Sequence, residues 1–340
     1  MKPFIKKSLI IFSPFILLIL FIVYWDPFKI YWDYNDYYHN NRIATNRENI
    51  CLQLFKKNIK TTNLNSFIIG SSRSQVYNAA LWKNLLAGNK DEINPFHFDG
   101  GSLGLYRAYN IIKYLDRKVK KIDHVLLIVD NEYFSELNNP GGHLYSEPPE
   151  ISGQSSFYYH LTFLKASLDL QFLYSNLIYK YTNRYYEFMG KHLDRNNYYH
   201  LSNNETADLY YNVNTVIKND SIGYYKKLFD AHVFYERSPT EIISDEIIKV
   251  DQRKIINEIA AIFKKHQTKV KVVISPLYTQ IKINPTDLKF LADTFGKENV
   301  SDFSGINEFT KDIANYYETS HYKINIATEI LHRVYQPLQR

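Results

Sequence analysis

The sequence predicts an α/β fold with a mainly parallel central sheet, arranged as three layers, α/β/α. From about residue 66 short apolar runs alternate with amphipathic helical segments. One of these runs, HVLLIV at 124–129, is apolar throughout, as expected for a parallel strand buried on both faces. Strand followed by helix, repeated along the chain, is the pattern of a doubly wound parallel sheet.

Five strands and four helices account for the predicted sheet and its covering layers. The strands are predicted at 66–69 (SFII), 95–98 (PFHF), 124–129 (HVLLIV), 271–274 (KVVI) and 299–303 (NVSDF). Helices are predicted at about 75–86, 103–116 and 247–263 from their apolar faces. A fourth helix is predicted to begin at Asn284-Pro285, because a cap residue before a first-turn proline is a common helix start.

The alternation stops between about residues 138 and 245. Within this stretch the segment FYYHLTFLKASLDLQFLYSNLIYKY has a helical period and aromatic residues throughout. We interpret the stretch as a helical insertion. Its aromatic residues serve either internal packing or a contact, with the active face or with a membrane partner.

The N-terminal region predicts a membrane anchor. Residues 9–25 form an apolar run of 17 residues, near the lower limit for crossing a bilayer. Lysines precede the run and aspartates follow it, which places the amino end in the cytoplasm. No small-residue cleavage site follows, which favours an uncleaved anchor, with a buried soluble helix as the alternative. The predicted organisation is a cytoplasmic N-terminus at 1–8, an anchor at 9–25, a membrane-proximal connector at 26–60 and an extracytoplasmic domain at 61–340.

Composition and charge restrict the partners. The 340 residues carry a net charge of +6, but they contain no Lys/Arg-rich stripe and no nucleic-acid motif. Anionic glycans or lipid headgroups are therefore better candidates than nucleic acid. Cys51 is the single cysteine, so an intrachain disulfide is excluded. The histidines show no metal-ligand spacing and no phosphate-binding loop is present, so no metal and no cofactor are expected.

The first predicted strand ends in Gly70-Ser71-Ser72, at the edge where parallel sheets gather their ligands. A glycine permits a tight strand-to-helix turn, and a serine just beyond it can present its hydroxyl to solvent. The same residues would also serve as an ordinary helix cap.

A second group of candidate residues lies near the C-terminus in ETSH, 318–321. On a helical turn, the spacing of Glu318 and His321 places both side chains on one face. The carboxylate would fix the imidazole tautomer, and the other ring nitrogen would accept a serine proton. The alternative is a surface acid and histidine near a helix start.

Taken together, GSSR (70–73), ETSH (318–321) and the intervening parallel sheet resemble the SGNH/GDSL hydrolase superfamily, with its G-D-S and D-x-x-H blocks. The chain is most similar to the membrane-anchored, exported branch that includes DltD, AlgJ and AlgX. Further similarity lies in FDGGSLGLYRAYNIIKYL (98–115), VVISPLY (272–278) and SDFSGIN (301–307). The resemblance covers about 60–137 and 246–335 and leaves the insertion outside.

The resemblance implies a role for each matching residue. Ser72 is the implied nucleophile, His321 the general base and Glu318 the orienting acid. The second block implies an oxyanion-hole glycine at Gly101, with Gly104 as the alternative. The third block implies an asparagine donor at Asn131.

Three positions depart from the superfamily pattern. Ser71 replaces the aspartate before the nucleophile, as serine does in DltD-type sequences. Glu318 replaces the usual aspartate and adds one methylene. Val129 stands where the third block has glycine, which weakens the assignment of Asn131. The nucleophile and base are unaffected by these departures.

The expected function is that of an exported, membrane-anchored acyltransferase or esterase that acts on O-acyl groups of a cell-surface polysaccharide. By resemblance, a membrane-bound O-acyltransferase is the implied partner that supplies the acyl group. The alternative is a non-catalytic assembly or glycan-binding subunit of a polysaccharide-modifying complex. A plain lipase or esterase is a third interpretation, which the anchor disfavours.

Overall fold

The computed structural model describes residues 2–37, 42–193, 199–203, 206–211 and 213–336. Its helices are α1 (Lys2–Trp25), α2 (Arg47–Asn58), α3 (Ala79–Leu85), α4 (Leu105–Lys118), α5 (Asn131–Ser135), α6 (Pro149–Ser152), α7 (Ser156–Ser167), α8 (Leu170–Thr182), α9 (Val213–Asn219), α10 (Ser221–Asp230), α11 (Val250–His266), α12 (Pro285–Phe295), α13 (Glu308–Lys311) and α14 (Ile324–Tyr335). Its strands are β1 (Ser66–Ser71), β2 (Pro95–Gly100), β3 (His124–Val129), β4 (Tyr199–Asn203), β5 (Asp208–Tyr211), β6 (Ile242–Ile243), β7 (Lys269–Ile274), β8 (Ile281–Lys282), β9 (Val300–Asp302), β10 (Tyr316–Glu318) and β11 (His321–Tyr322). Five 3-10 turns join them, at Ser72–Val76, Lys90–Glu92, Glu187–Lys191, Lys297–Asn299 and Ile313–Asn315.

The central sheet has five strands in the order β2-β1-β3-β7-β9, and each neighbouring pair is parallel. Ser66 pairs with Pro95 of β2 and with His124 of β3, so these three strands begin in register and end at the same edge of the sheet. Every residue of β1, β2 and β3 is buried, as the apolar run at 124–129 predicted. The predicted α/β class with a mainly parallel sheet is confirmed.

Helices cover both faces of this sheet because successive strand residues point to opposite sides. On one face Phe67 and Ile69 pack among residues of α2, α4 and α11. On the other face Ile68 packs among residues of α3 and α14. The two apolar cores make the arrangement three-layered.

The predicted sheet strands all occur, with ends within two residues of those expected. The helix predicted to begin at Asn284-Pro285 is α12, and the Asn284 Oδ1 atom accepts a hydrogen bond from the Thr286 N–H at 2.9 Å. The helix predicted over 75–86 is wrong in its first part. A 3-10 turn over Ser72–Val76 precedes it, and α3 begins only after Asn78, whose side chain caps the Leu81 N–H at 2.7 Å.

The insertion predicted at about 138–245 is helical only in part. It contains α6 to α10, but β4 and β5 form an antiparallel hairpin within it and β6 pairs with β8 outside it. The hairpin attaches to the body of the fold, because the Thr206 carbonyl accepts from the His97 N–H at 2.8 Å. Polar anchoring of this kind leaves no periodic apolar pattern, so the sequence did not predict it.

The N-terminal apolar run lies in α1, which is helical from Lys2 to Trp25. Among the residues that the structure describes, no helix combines the length and apolar character needed for a membrane crossing. The anchor at 9–25 and the domain boundaries stay predictions.

Candidate active site

The turn after β1 singles out one of its three serines. Ser71 ends the strand and Ser74 lies inside the 3-10 turn, and both are buried, with 6% and 0% of their surface exposed. Ser72, the first residue of the turn, is only partly buried. Of the three serines at this carboxyl edge of the sheet, Ser72 is therefore the one whose side chain is not buried.

Position 70 requires glycine because the surrounding atoms leave no room for a side chain. A Cβ atom at this position would lie 2.8 Å from the Ser74 Cβ and 2.9 Å from the Ile128 carbonyl oxygen. Such contacts are too close for any side chain, so only glycine lets β3 and the turn pack against β1. The expected reason, conformational freedom in a tight turn, is wrong, since Gly70 lies in regular strand with no positive φ.

The structure brings Ser72, His321 and Glu318 together. The Nε2 atom of His321 lies 2.8 Å from the Ser72 Oγ, and its Nδ1 atom is hydrogen-bonded to the Glu318 carboxylate. With Nδ1 donating to the carboxylate, Nε2 is left as the acceptor for the serine proton. A hydroxyl, an imidazole and a carboxylate in this order are the parts of a nucleophile with its general base.

Glu318 and His321 face each other across a β-hairpin, not along a helical turn. β10 and β11 are antiparallel, Glu318 is the direct partner of His321, and residues 319 and 320 form the turn. The helical expectation is therefore wrong, but its consequence holds, because facing residues of a two-stranded ribbon also share one side. Tyr316 of β10 anchors the hairpin in the core, because its hydroxyl donates to the Pro276 carbonyl at 2.9 Å.

Glu318 is held in its ionised form. Partial burial favours the protonated acid, but the hydrogen bonds that Glu318 accepts from His321 and from the Ser320 N–H, the latter at 2.6 Å, outweigh burial and lower the pKa of Glu318. The nearby charge of Arg73 acts in the same direction. An ionised carboxylate can stabilise the imidazolium that forms when His321 takes a proton.

Arg73, to which the sequence analysis gave no role, connects the three segments of the site. Its Nε donates to the Ser320 carbonyl at 3.2 Å, in the turn between β10 and β11. Its other nitrogens donate to Asp130 at 2.7 Å and to Glu132 at 2.8 Å, after β3. Because Arg73 directly follows Ser72, its hydrogen bonds connect the serine turn to the β10–β11 turn and to the segment after β3. The signal was present in the sequence as an arginine beside the predicted nucleophile.

The predicted oxyanion-hole residues follow the strands on either side of β1. Gly101 comes directly after Gly100, the β2 partner of Ser71. Asn131 opens α5, directly after its N-cap Asp130 and two residues beyond the end of β3. The register thus places both segments at the same sheet edge as Ser72, and their donation to an oxyanion stays a prediction.

Arg107 holds the segment that contains Gly101. Its guanidinium donates to the carbonyls of Gly101, at 3.2 Å, and of Ser102. The same group is paired with the Glu136 carboxylate at 2.7 Å and with buried Glu48. Gly104, the alternative glycine, is the N-cap of α4, where a Cβ would lie 2.5 Å from the Glu136 Cβ.

A second Ser-His-Asp set lies directly beneath the serine turn. His97 Nε2 lies 2.9 Å from the Ser74 Oγ, and its Nδ1 lies 3.2 Å from the Asp208 carboxylate. These three residues are at most 1% exposed, so a substrate cannot reach them. The Ser74 Oγ also donates to the Ser71 carbonyl at 2.7 Å, which supports the peptide preceding Ser72. The set acts as a buried brace, and the sequence carried no motif for it.

The insertion supports the hairpin of β10 and β11 through two tyrosines of α10. Tyr224 of α10 donates its hydroxyl to the Tyr317 carbonyl at 2.7 Å, and Tyr225 donates to the Tyr316 carbonyl at 3.0 Å. Both acceptors lie in β10, next to Glu318. Part of the aromatic content of the insertion therefore positions the candidate site.

No metal centre is found in the part of the chain that the structure describes: no group of three or more His, Cys, Asp or Glu residues has the arrangement to hold an ion. Cys51 is a free, fully buried thiol. Burial and the neighbouring Asp99 raise its pKa, so it stays protonated.

The fold and the site define an α/β protein with a five-stranded parallel sheet and a Ser-His-Glu arrangement at its carboxyl edge. Neither family models nor curated proteins match the sequence. The fold is consistent with the SGNH-like class without identifying it.

Proposed function

We propose that the protein is an SGNH-like acyltransferase or esterase that acts on O-acyl groups of a cell-surface polysaccharide through an acyl-serine intermediate. The observation that carries the proposal is the hydrogen-bonded chain from Ser72 through His321 to Glu318. The membrane-bound O-acyltransferase partner and the extracytoplasmic location are part of the proposal by resemblance.

In the first half-reaction the Ser72 Oγ attacks the carbonyl carbon of an acyl ester, and His321 Nε2 takes the serine proton. The carbonyl oxygen becomes an oxyanion. Donors at Gly101 and Asn131 would stabilise it by about 3 kcal/mol each. The tetrahedral intermediate then collapses, the ester C–O bond breaks, and His321 returns the proton to the departing alkoxide.

In the second half-reaction His321 takes a proton from a sugar hydroxyl or from water. The resulting oxygen nucleophile attacks the acyl-serine carbonyl, the bond to Ser72 breaks, and the proton returns to the Ser72 Oγ. Attack by a sugar hydroxyl gives transfer, and attack by water gives hydrolysis. Both reactions use the same residues.

The test compares the wild-type protein with Ser72→Ala and His321→Ala on a series of p-nitrophenyl esters, with and without added polysaccharide. We expect nitrophenol release to fall by about a thousandfold or more in both variants. Acyl groups appearing on the polysaccharide would identify transfer, and free acid alone would identify hydrolysis. If the wild-type protein and both variants give equal rates but bind the polysaccharide, the non-catalytic subunit is the correct interpretation.

A further inference from the structure

Helix α8 turns an apolar face to solvent. Its exposed residues recur at the spacing of one helical face, while Phe172 on the other side is buried and 2% exposed. The outward residues and their exposed fractions are Leu170 (81%), Tyr174 (59%), Leu177 (41%) and Tyr181 (81%). A stripe of this kind ordinarily packs against another element.

Two further rings extend this stripe. Tyr174 stacks on Phe188 with ring centroids 5.7 Å apart, and Phe188 stacks on Tyr186 at 5.9 Å. Both added rings are 41% exposed. We call the six residues the α8 face: Leu170, Tyr174, Leu177, Tyr181, Tyr186 and Phe188.

Helix α8 packs against the end of α1 through Phe172, on the side opposite the α8 face. The Trp25 ring, at the last residue of α1, lies 5.9 Å from the ring of Phe172 in α8, and Phe28 stacks on Phe172 at 5.1 Å. Helix α1 is itself apolar and exposed over its final turns, at Leu17 (64%), Leu20 (59%), Phe21 (45%) and Tyr24 (81%). Exposed apolar surface therefore occurs on both of these contacting parts of the fold.

The charges around the α8 face favour an anionic surface. Helix α8 with its N-cap and the residues that follow, 169–193, contain three exposed cations, Lys180, Arg184 and Lys191, against two exposed acids, Asp169 and Glu187. Tyrosine rings beside lysine and arginine are the composition found where a protein meets lipid headgroups.

We infer that the α8 face rests on the surface of a lipid bilayer with anionic headgroups. The exposed side chains of α1 add apolar surface to this region, because the end of α1 packs against α8 through Trp25 and Phe172. Aromatic rings would enter the headgroup boundary while the cations contact phosphate groups. The inference is independent of the proposed chemistry at Ser72.

Single-cysteine labelling of the full-length protein tests this contact. Cys51 is fully buried, so only a cysteine introduced at the surface should react with the environment-sensitive dye NBD. Wild-type protein treated with the dye measures any background labelling of Cys51. The test positions are Leu170→Cys and Tyr181→Cys. The matched controls are Ile222→Cys and Val250→Cys, at residues of equal exposure, 84% and 81%, on α10 and α11. The vesicles contain phosphatidylcholine with phosphatidylglycerol.

We expect the NBD emission at Leu170→Cys and Tyr181→Cys to shift to shorter wavelength and to intensify on vesicles, with no change at the controls. The unlabelled double variant Leu170→Ser, Tyr181→Ser should bind the vesicles about tenfold or more weakly. A fourth label, Ile11→Cys, reports α1. A response at Ile11→Cys without one at the α8 face overturns the inference, and so does silence at every position. A vesicle-independent response that grows with protein concentration also overturns it, in favour of self-association.

Discussion

The His321 Nε2 atom lies 2.8 Å from the Ser72 Oγ, although 249 positions separate the two residues in the chain. The serine is placed by the end of β1, and the histidine by the hairpin of β10 and β11. Tyr316 and Tyr322 anchor that hairpin in the core through hydrogen bonds to the Pro276 carbonyl and to the Tyr77 hydroxyl. The contact therefore depends on buried tyrosines, which sequence spacing does not reveal.

Replacing Glu318 should slow the chemistry without preventing folding. In Glu318→Gln the amide no longer stabilises the imidazolium of His321, and we expect the rate of Ser72 acylation to fall by about 10³-fold to 10⁴-fold. Glu318→Asp keeps the charge and should lose less. The measurement is the rate of nitrophenol release, with Glu329→Gln as the control at an exposed surface ion pair. An unchanged rate in Glu318→Gln would show that the carboxylate has no catalytic role.

Arg73 should affect both stability and reactivity. Arg73→Ala leaves Asp130, 3% exposed, without its cation, and we expect the free energy of unfolding to fall by about 3 kcal/mol. The reaction should slow as well, since the Ser320 carbonyl, in the turn between β10 and β11, loses its donor. Arg73→Lys should recover part of the stability but not the rate, because lysine cannot span the three acceptors. The control is Arg253→Ala, whose ion pair with Glu246 is exposed. Full reactivity in Arg73→Ala would rule out this positioning role.

Ser74→Ala separates the two Ser-His-acid sets. The variant removes a partner from buried His97 and the hydroxyl that supports the Ser71 carbonyl. We expect a destabilisation of about 1–3 kcal/mol and a slower but persistent reaction at Ser72. Urea unfolding and nitrophenol release measure the two effects. Ser135→Ala, which removes an exposed hydroxyl, is the control. Complete loss of reactivity in folded Ser74→Ala would instead make Ser74 the candidate nucleophile.

The raised pKa of Glu147 predicts how the free energy of unfolding depends on pH. Burial and the neighbouring Glu48 raise the pKa of Glu147 to about 9, against an ordinary value of 4.5. Between these two values the native chain holds a proton that the unfolded chain has lost. The free energy of unfolding should therefore fall with rising pH, by up to about 1.4 kcal/mol per pH unit, and level off above pH 9.

The Glu147→Gln variant isolates this effect. Its amide can keep the hydrogen bond from Asn110 without carrying a charge. Urea unfolding should show the variant more stable than the wild type at pH 8 and equal to it near pH 4. Glu150→Gln, at an exposed ion pair, should leave the pH dependence unchanged. Parallel stability curves for wild type and Glu147→Gln would contradict the assignment.

Local patterns were sufficient to predict the sheet strands. Apolar runs such as 124–129 belong to strands buried on both faces, and burial of that kind needs no information from distant residues. The capping signal at Asn284 was also local, and α12 begins there. The start of α3 was mispredicted because Asn78 caps a new helix after the 3-10 turn, and propensity alone does not distinguish the two.

The candidate site was predictable only as separate pieces. Ser72, Glu318 and His321 were identified from short motifs and a resemblance, but the hairpin that pairs the acid with the histidine was taken for a helical turn. The brace formed by Ser74, His97 and Asp208 joins three distant segments, one of them in the insertion. Contacts of this kind depend on tertiary structure, and no spacing in one sequence encodes them.

The most direct test of the central claim is to label the protein with a fluorophosphonate probe and to locate the adduct by mass spectrometry. Reaction requires a serine hydroxyl activated by a base, so the probe reports the Ser72–His321 contact itself. We predict an adduct on Ser72, its loss in Ser72→Ala and in His321→Ala, and its persistence in Ser71→Ala. An adduct on any other residue, or equal labelling of the wild type and Ser72→Ala, would contradict the assignment of Ser72 as the nucleophile.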